Sequence, residues 1–157
     1  MNKYILFVII LLSSSIHFQQ TKVKVFKYQY DIIQLVNEQR AKGCKCGSKK
    51  FSPLPPIAWS AQLEEAAKIQ ANYMSKKDIL THQGEDGKDL KSRLSRVKYI
   101  WRAYSENIAD GYESTQEVFE AWMASPGHCK NIMGDYKEMG VYKVNEFWVQ
   151  DFGTPKI

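Results

Sequence analysis

The chain of 157 residues contains no run of about twenty apolar residues, the length a helix needs to span a bilayer. Its longest such run is Ile5-Leu6-Phe7-Val8-Ile9-Ile10-Leu11-Leu12, preceded by Lys3 and followed by Ser13-Ser14-Ser15. A positive start, a short apolar stretch and small residues are the order of an export signal, with cleavage expected between Ser15 and Thr21. An uncleaved membrane anchor is the competing reading, and acylation is disfavoured because no cysteine adjoins the run. Also missing are an Arg-rich recognition helix and any nucleic-acid module signature, so no nucleic acid is expected as a partner. No internal repeat, heptad pattern or low-complexity segment interrupts the chain. There is no nucleophile elbow and no Asp-His-Ser pattern to support serine hydrolysis.

Cysteine is scarce but informative. Cys44, Cys46 and Cys129 are the three present. In an oxidising compartment they should pair, leaving one over. Side chains one residue apart diverge, so the expected bond joins Cys129 to Cys44 or Cys46. Such a loop of 83 or 85 residues would constrain the unfolded chain by roughly 4 kcal/mol. Cys44-x-Cys46 as half of a zinc knuckle is the sharper alternative, but it lacks a second matching pair. The product is read as secreted (extracellular) or periplasmic.

What remains is enough for one domain with one sizeable core. The expected division is a signal peptide over residues 1–20, a linker over 21–29 and a folded domain over 30–157. A net charge of +5, spread along the chain, favours weak attraction to anionic surfaces and no more specific partner. Ile32, Ile33, Leu35, Val36 and Gln39 are spaced as on a helix, with Gly43 as its stop. Cys44 to Pro56 reads as a loop. Ser60 caps a helix reaching about Ser75, with Trp59 placed to pack on its first turn. Asp89 to Lys98 reads as a short basic helix with Leu90, Leu94 and Val97 inward, and Tyr99-Ile100-Trp101 as a strand or packed loop. Ser114-Thr115-Gln116-Glu117 is a capping box. Ser125 and Pro126 fit the cap and first position of another helix. Residues 138–144 and 147–152 alternate as two antiparallel strands joined tightly at Asn145-Glu146. Helices in front and strands behind argue for an α+β layered domain.

Three residues carry the candidate chemistry: His128 in Ser125-Pro126-Gly127-His128, His82 in Thr81-His82-Gln83-Gly84 and Glu106 in Ser105-Glu106-Asn107-Ile108-Ala109. Two imidazoles and a carboxylate can hold a divalent metal such as zinc with a fourth position left to water, or run acid–base chemistry. The alternative is that His128 and Glu106 only brace the structure through hydrogen bonds. Ser105 and Ser125 are candidate nucleophiles by location alone. Trp59, Trp122 and Trp148 fit core positions, whereas Trp101 could rim a cavity and stack on a ligand.

These pieces, with Leu35-Val36-Asn37-Glu38-Gln39-Arg40, Ile57-Ala58-Trp59-Ser60, Trp122-Met123-Ala124, Met139-Gly140-Val141 and Phe147-Trp148-Val149-Gln150-Asp151-Phe152-Gly153, resemble the CAP superfamily. It comprises cysteine-rich secretory, antigen 5 and pathogenesis-related proteins, and the likeness is to its compact secreted bacterial branch over residues 30–153. The resemblance implies a three-layer α–β–α sandwich with a central antiparallel sheet and a cavity holding two His and two Glu. His82, His128 and Glu106 match three of those positions. Ser125 stands where the second Glu would be, and Ser105 replaces the usual Gly, so a three-ligand site is expected, with Ser105, Ser125, Asn107 and Trp101 around it. The expected function is a monomeric, non-enzymatic module binding an unidentified lipid, glycan or protein. A metal-assisted hydrolase acting on peptides or cell-wall material is the alternative.

Overall fold

The computed structural model describes residues 26–156. The expected signal peptide and most of the expected linker lie outside the described residues. Helix α1 (Lys27–Lys42) begins within the stretch assigned to the linker, so residues 27–29 form its first turn. Gln29, Ile32, Val36 and Arg40 recur every three to four positions and make its buried face. The helix stops at Gly43, whose φ of +69° is comfortable only without a side chain.

The next segment is not the plain loop expected. β1 (Cys44–Cys46) and β2 (Lys49–Phe51) form a small antiparallel ribbon joined by Gly47-Ser48, with Gly47 at φ +60°. Strands of three residues are too short to show alternation, which is why composition alone read them as loop. The ribbon is tied to the body by the Cys46–Cys129 disulfide, one of the two expected pairings, and Cys44 keeps its thiol.

The main sheet has four strands in the order β3-β5-β6-β4, namely β3 (Ala58–Trp59), β5 (Glu138–Val144), β6 (Phe147–Pro155) and β4 (Trp101–Ala109). Its three long strands are antiparallel, but β3 runs parallel to β5, so the sheet is mixed rather than wholly antiparallel as expected. The tight link at Asn145-Glu146 is as expected, with Asn145 at φ +53°. β6 runs on to Pro155 because β4 pairs with it along its whole length.

Helices cover both faces. On one, Ile32 and Val36 of α1, with Val118 and Trp122 of α4 (Thr115–Ala124) and Ile132 of α5 (Pro126–Ile132), pack on Met139, Val141, Trp148 and Phe152. On the other, Ala67, Ala71 and Met74 of α2 (Ala61–Lys77) meet Ile108, Phe147 and Val149, while Leu63 and Ala66 meet Leu90 and Leu94 of α3 (Leu90–Arg96). Burying one large apolar side chain of this kind is worth roughly 1.5–3 kcal/mol. At Gly140 a Cβ would strike the backbone of Leu63 and Glu64, so α2 lies directly on β5. The expected caps at Ser60 and Ser114 are formed: Ser60 Oγ accepts from the Leu63 N–H, and Ser114 and Glu117 form the reciprocal capping box. Ser125 occupies the N-cap position of α5, but its hydroxyl makes no capping bond; Pro126 at the first helical position and Ser125 C=O, accepting from Cys129 N–H, set that start instead.

Candidate functional site

β4 is an edge strand, and its pleat divides its residues between the two faces. Glu106 and Ile108 point to the α2/α3 side, and Asn107 and Ala109 to the α4/α5 side. Opposite them on β6 stand Asp151 and Gln150, so Glu106 faces Asp151 and Asn107 faces Gln150.

The carboxylate of Glu106 is held at both oxygens. Oε1 meets His82 Nδ1 at 2.8 Å, and Oε2 accepts from Arg93 Nη2. Arg93 and Glu106 are both buried, each side chain only 4% exposed, whereas the His82 ring is 59% exposed. The other arm of the guanidinium donates to the His82 backbone carbonyl at 3.2 Å. Gln70 of α2 donates to the carbonyls of Thr81 and Gln83, at 2.5 and 3.3 Å. The segment bearing His82 is therefore held by three consecutive carbonyls. With Nδ1 engaged by Glu106, Nε2 is the ring nitrogen left for a further partner.

His128 comes from α5, across the same sheet edge. Burial, and then the neighbouring His82, push its imidazole below the ordinary value of 6.5, so it is neutral at pH 7. Its helix is fixed over the strand edge by amides. Asn131 donates to the Glu106 carbonyl at 3.2 Å and to Asn107 Oδ1 at 2.8 Å, and Asn107 donates to the His128 carbonyl at 3.3 Å and to Gln150 Oε1 at 3.0 Å. Behind Glu106, Asp151 is fully buried, and among the described residues no N–H or hydroxyl group donates to either of its carboxyl oxygens. Burial, reinforced by the charge of Glu106 and opposed by Arg93, drives its carboxyl well above the ordinary 3.8. Asp151 is thus the member of this pair of acids whose charged form is disfavoured.

A small cleft of about 240 Å³ opens over this arrangement, lined by His82, Leu90, Tyr104, Ser105 and Glu106 among others. A larger groove of about 980 Å³ runs between α2 and α3, with Tyr73, Lys76, Lys77, Lys91 and Arg96 along it.

Of the residues singled out from the sequence, His82 and Glu106 are in direct contact and His128 stands near enough to His82 to lower its own basicity. The trio does not close into a compact cage. Among the described residues, the group of three such side chains whose ligand atoms all lie within 4.8 Å of one another is Cys44, Cys46 and Cys129. Glu106 is also fully engaged, so it suits the orientation of His82 better than direct ligation, leaving His82 Nε2 and His128 as the donors for a cation. Ser105 lines the cleft, yet its hydroxyl is buried without a hydrogen-bond partner among the described residues and is not presented as a nucleophile. Ser125 sits at the α4–α5 junction. Asn107 is buried and committed to the amide network rather than offered to a ligand. Trp101 packs edge-on against Tyr104, with centroids 4.5 Å apart, and Tyr104 is the ring that reaches the cleft.

Arg93, Gln70 and Asp151 were not anticipated. Signals for two of them existed. Arg93 shares the inward stripe of Leu90 and Leu94, and Asp151 is a lone charge inside an otherwise buried strand. A charged residue on an apolar stripe is buried only with a partner.

The family model described as the cysteine-rich secretory protein family matches residues 33–152. An uncharacterized Bacillus subtilis protein, YkwD, is 28% identical over 131 residues, 82% of this chain and 48% of that protein. A second B. subtilis relative, the uncharacterized membrane protein YlbC, is 27% identical over 63% of this chain and 29% of its own. The chain thus spans half or less of the length of the curated relatives it matches. Among solved structures, an extracellular SCP-domain protein from Bacillus anthracis superposes with a TM-score of 0.72 at 25% identity, covering 81% of this chain and 40% of that one. An outer surface protein of Borrelia burgdorferi shares the fold, with a TM-score of 0.64 at 22% identity over 82% of this chain and 90% of its own. The edge-strand glutamate, the histidines on either side of it and the α–β–α layering all sit inside the matched segment, and the chain belongs to the cysteine-rich secretory protein (CAP) family.

Proposed function

We propose that this CAP domain acts outside the cytoplasm as a non-enzymatic binding module, and that His82 and His128 together bind a divalent cation such as zinc. The observation that carries this reading is the 2.8 Å contact between His82 Nδ1 and Glu106, itself locked by Arg93. A carboxylate on the far nitrogen of an imidazole fixes its tautomer and raises its basicity as a ligand. The lowered basicity of His128 supplies a second imidazole that is unprotonated at neutral pH. Ile79 and Leu80, 47% and 51% exposed just before His82, together with the cationic groove between α2 and α3, favour a ligand that combines apolar and anionic groups. An extracellular place is supported by the disulfide and by relatives described as extracellular or outer-surface proteins.

The test is calorimetric titration of zinc into the metal-stripped protein and into His82→Ala and His128→Ala, with circular dichroism to verify folding. Stoichiometric binding lost in both folded variants is the expected result. Wild-type affinity in His82→Ala would remove the cation site from the reading. A serine-nucleophile route gains no support from the geometry, since the Ser105 hydroxyl at the cleft is buried.

A further inference from the structure

The three cysteines form a second chemical cluster, remote in role from the histidine cleft. Cys46 and Cys129 are bonded and buried, at 1% and 0% exposure, while Cys44 is partly exposed and carries the free thiol. Its sulfur lies 3.7 Å from Cys46 Sγ and 3.8 Å from Cys129 Sγ. That is van der Waals contact with both halves of a disulfide. Residues 44 and 46 lie on the same side of one short strand, which directs both side chains at α5.

We propose that Cys44 is a thiol–disulfide exchange site, through which a low-molecular-weight thiol reduces the otherwise inaccessible Cys46–Cys129 bond. In the first step the Cys44 thiolate attacks Cys129 Sγ. The Cys44–Cys129 bond forms, the Cys46–Cys129 bond breaks, and Cys46 leaves as a thiolate that takes up the proton Cys44 gave up. No electron enters or leaves. Attack at Cys129 is favoured over attack at Cys46, because two residues apart in an extended strand the α-carbons stand about 6.6 Å apart, at the upper limit of disulfide geometry. The sulfur of Cys44 lies alongside the bond, nearly equidistant from both ends, so in-line displacement requires its side chain to turn before attack. In the second step an external thiolate attacks the accessible Cys44 sulfur and releases Cys129. A second thiol then resolves the mixed disulfide. Two thiols become one external disulfide, and their two protons and two electrons convert the protein disulfide to two thiols.

The two pairings open to Cys129 at the level of sequence are, on this proposal, both populated states of one centre. Cys44 acts as the port because it alone of the three is partly exposed. Burial pushes its thiol above the ordinary value, which keeps the exchange slow until an attacking thiolate is formed.

The experiment compares reduction of the oxidised full chain by reduced glutathione with that of Cys44→Ser, following loss of the Cys46–Cys129 crosslink by acid quench, alkylation and peptide mapping. Reduction at least ten-fold slower in Cys44→Ser, and a glutathione adduct trapped on Cys44 in the wild type, are the expected results. Equal rates in the two proteins overturn the proposal. Cys46→Ser provides a second reading that does not depend on that rate. Air oxidation of this variant should yield a Cys44–Cys129 crosslink with wild-type circular dichroism. Two free thiols in the folded variant overturn it as well.

Discussion

Two neighbouring rungs of the same ladder carry opposite solutions to burying polar groups. Asn107 and Gln150 face one another across β4 and β6, as do Glu106 and Asp151 one residue along. The amide rung is neutral, and Asn107 is satisfied by Gln150, Asn131 and the His128 carbonyl. The acid rung holds one carboxylate clamped by Arg93 and His82 and one carboxyl to which no N–H or hydroxyl group among the described residues donates. A neutral network fixes geometry at little electrostatic cost. Two buried acids facing one another across a ladder, by contrast, disfavour one another's ionisation. The amide rung places α5, and the acid rung orients the imidazole that α5 faces.

The largest effect that should separate the rungs is Arg93→Leu. It leaves the buried Glu106 carboxylate without its guanidinium and with His82 as its remaining side-chain partner, and should cost about 3–5 kcal/mol in urea unfolding. Asn107→Ala, on the neutral rung, should cost only about 1–3 kcal/mol by the same measurement, because it strands buried amides rather than a charge. If the two losses come out equal, the acid rung is no more strained than its neighbour.

Asp151→Asn sharpens the contrast through pH. The folded-state carboxyl of Asp151 titrates above its unfolded value, so the native protein holds a proton that the unfolded chain releases. Its contribution to stability is complete below the ordinary 3.8 and declines as pH rises from there towards the elevated native value. Replacement by Asn should remove this decline, so the variant gains on wild type as pH is raised from about 4 to neutrality. His128 works in the reverse direction. Its native value lies below 6.5, so stability is complete above 6.5 and falls as acidification protonates the unfolded chain first. His128→Gln should flatten the stability profile between about pH 6.5 and the lower native value. The smallest effect belongs to His82→Ala. Its exposed ring should contribute within about 0.5 kcal/mol to stability, while cation binding is lost.

The layered fold was legible because its signals are local. The capping box at Ser114, the stop at Gly43 and the tight link at Asn145-Glu146 each satisfy or break hydrogen bonds within four residues. β4 was harder to see. Its residues 101–105 are only partly buried, so alternation is blurred, and the strand exists because β6 pairs with it. The site divides in the same way. His82, Glu106 and His128 stand out as residue types in recognisable segments. The double engagement of Glu106 depends on Arg93, which reaches it from a different helix. The pairing of Glu106 with Asp151 depends on register between strands that brings together residues 45 positions apart, which no local pattern encodes. The choice of Cys46 over Cys44 turned on position along a three-residue strand, since both side chains leave it on the side that faces α5.

The carbonyls of Thr81, His82 and Gln83 are gripped by Gln70 and Arg93, groups that belong to the helices and not to the segment itself. Every amino acid offers the same carbonyl, so this mounting is nearly blind to the side chains it carries. Residues such as Ile79, Leu80 and Gln83 can therefore be exchanged to alter what the rim recognises while the imidazole keeps its aim. Such an arrangement allows binding preference to diverge among relatives without any retuning of the ring at its centre.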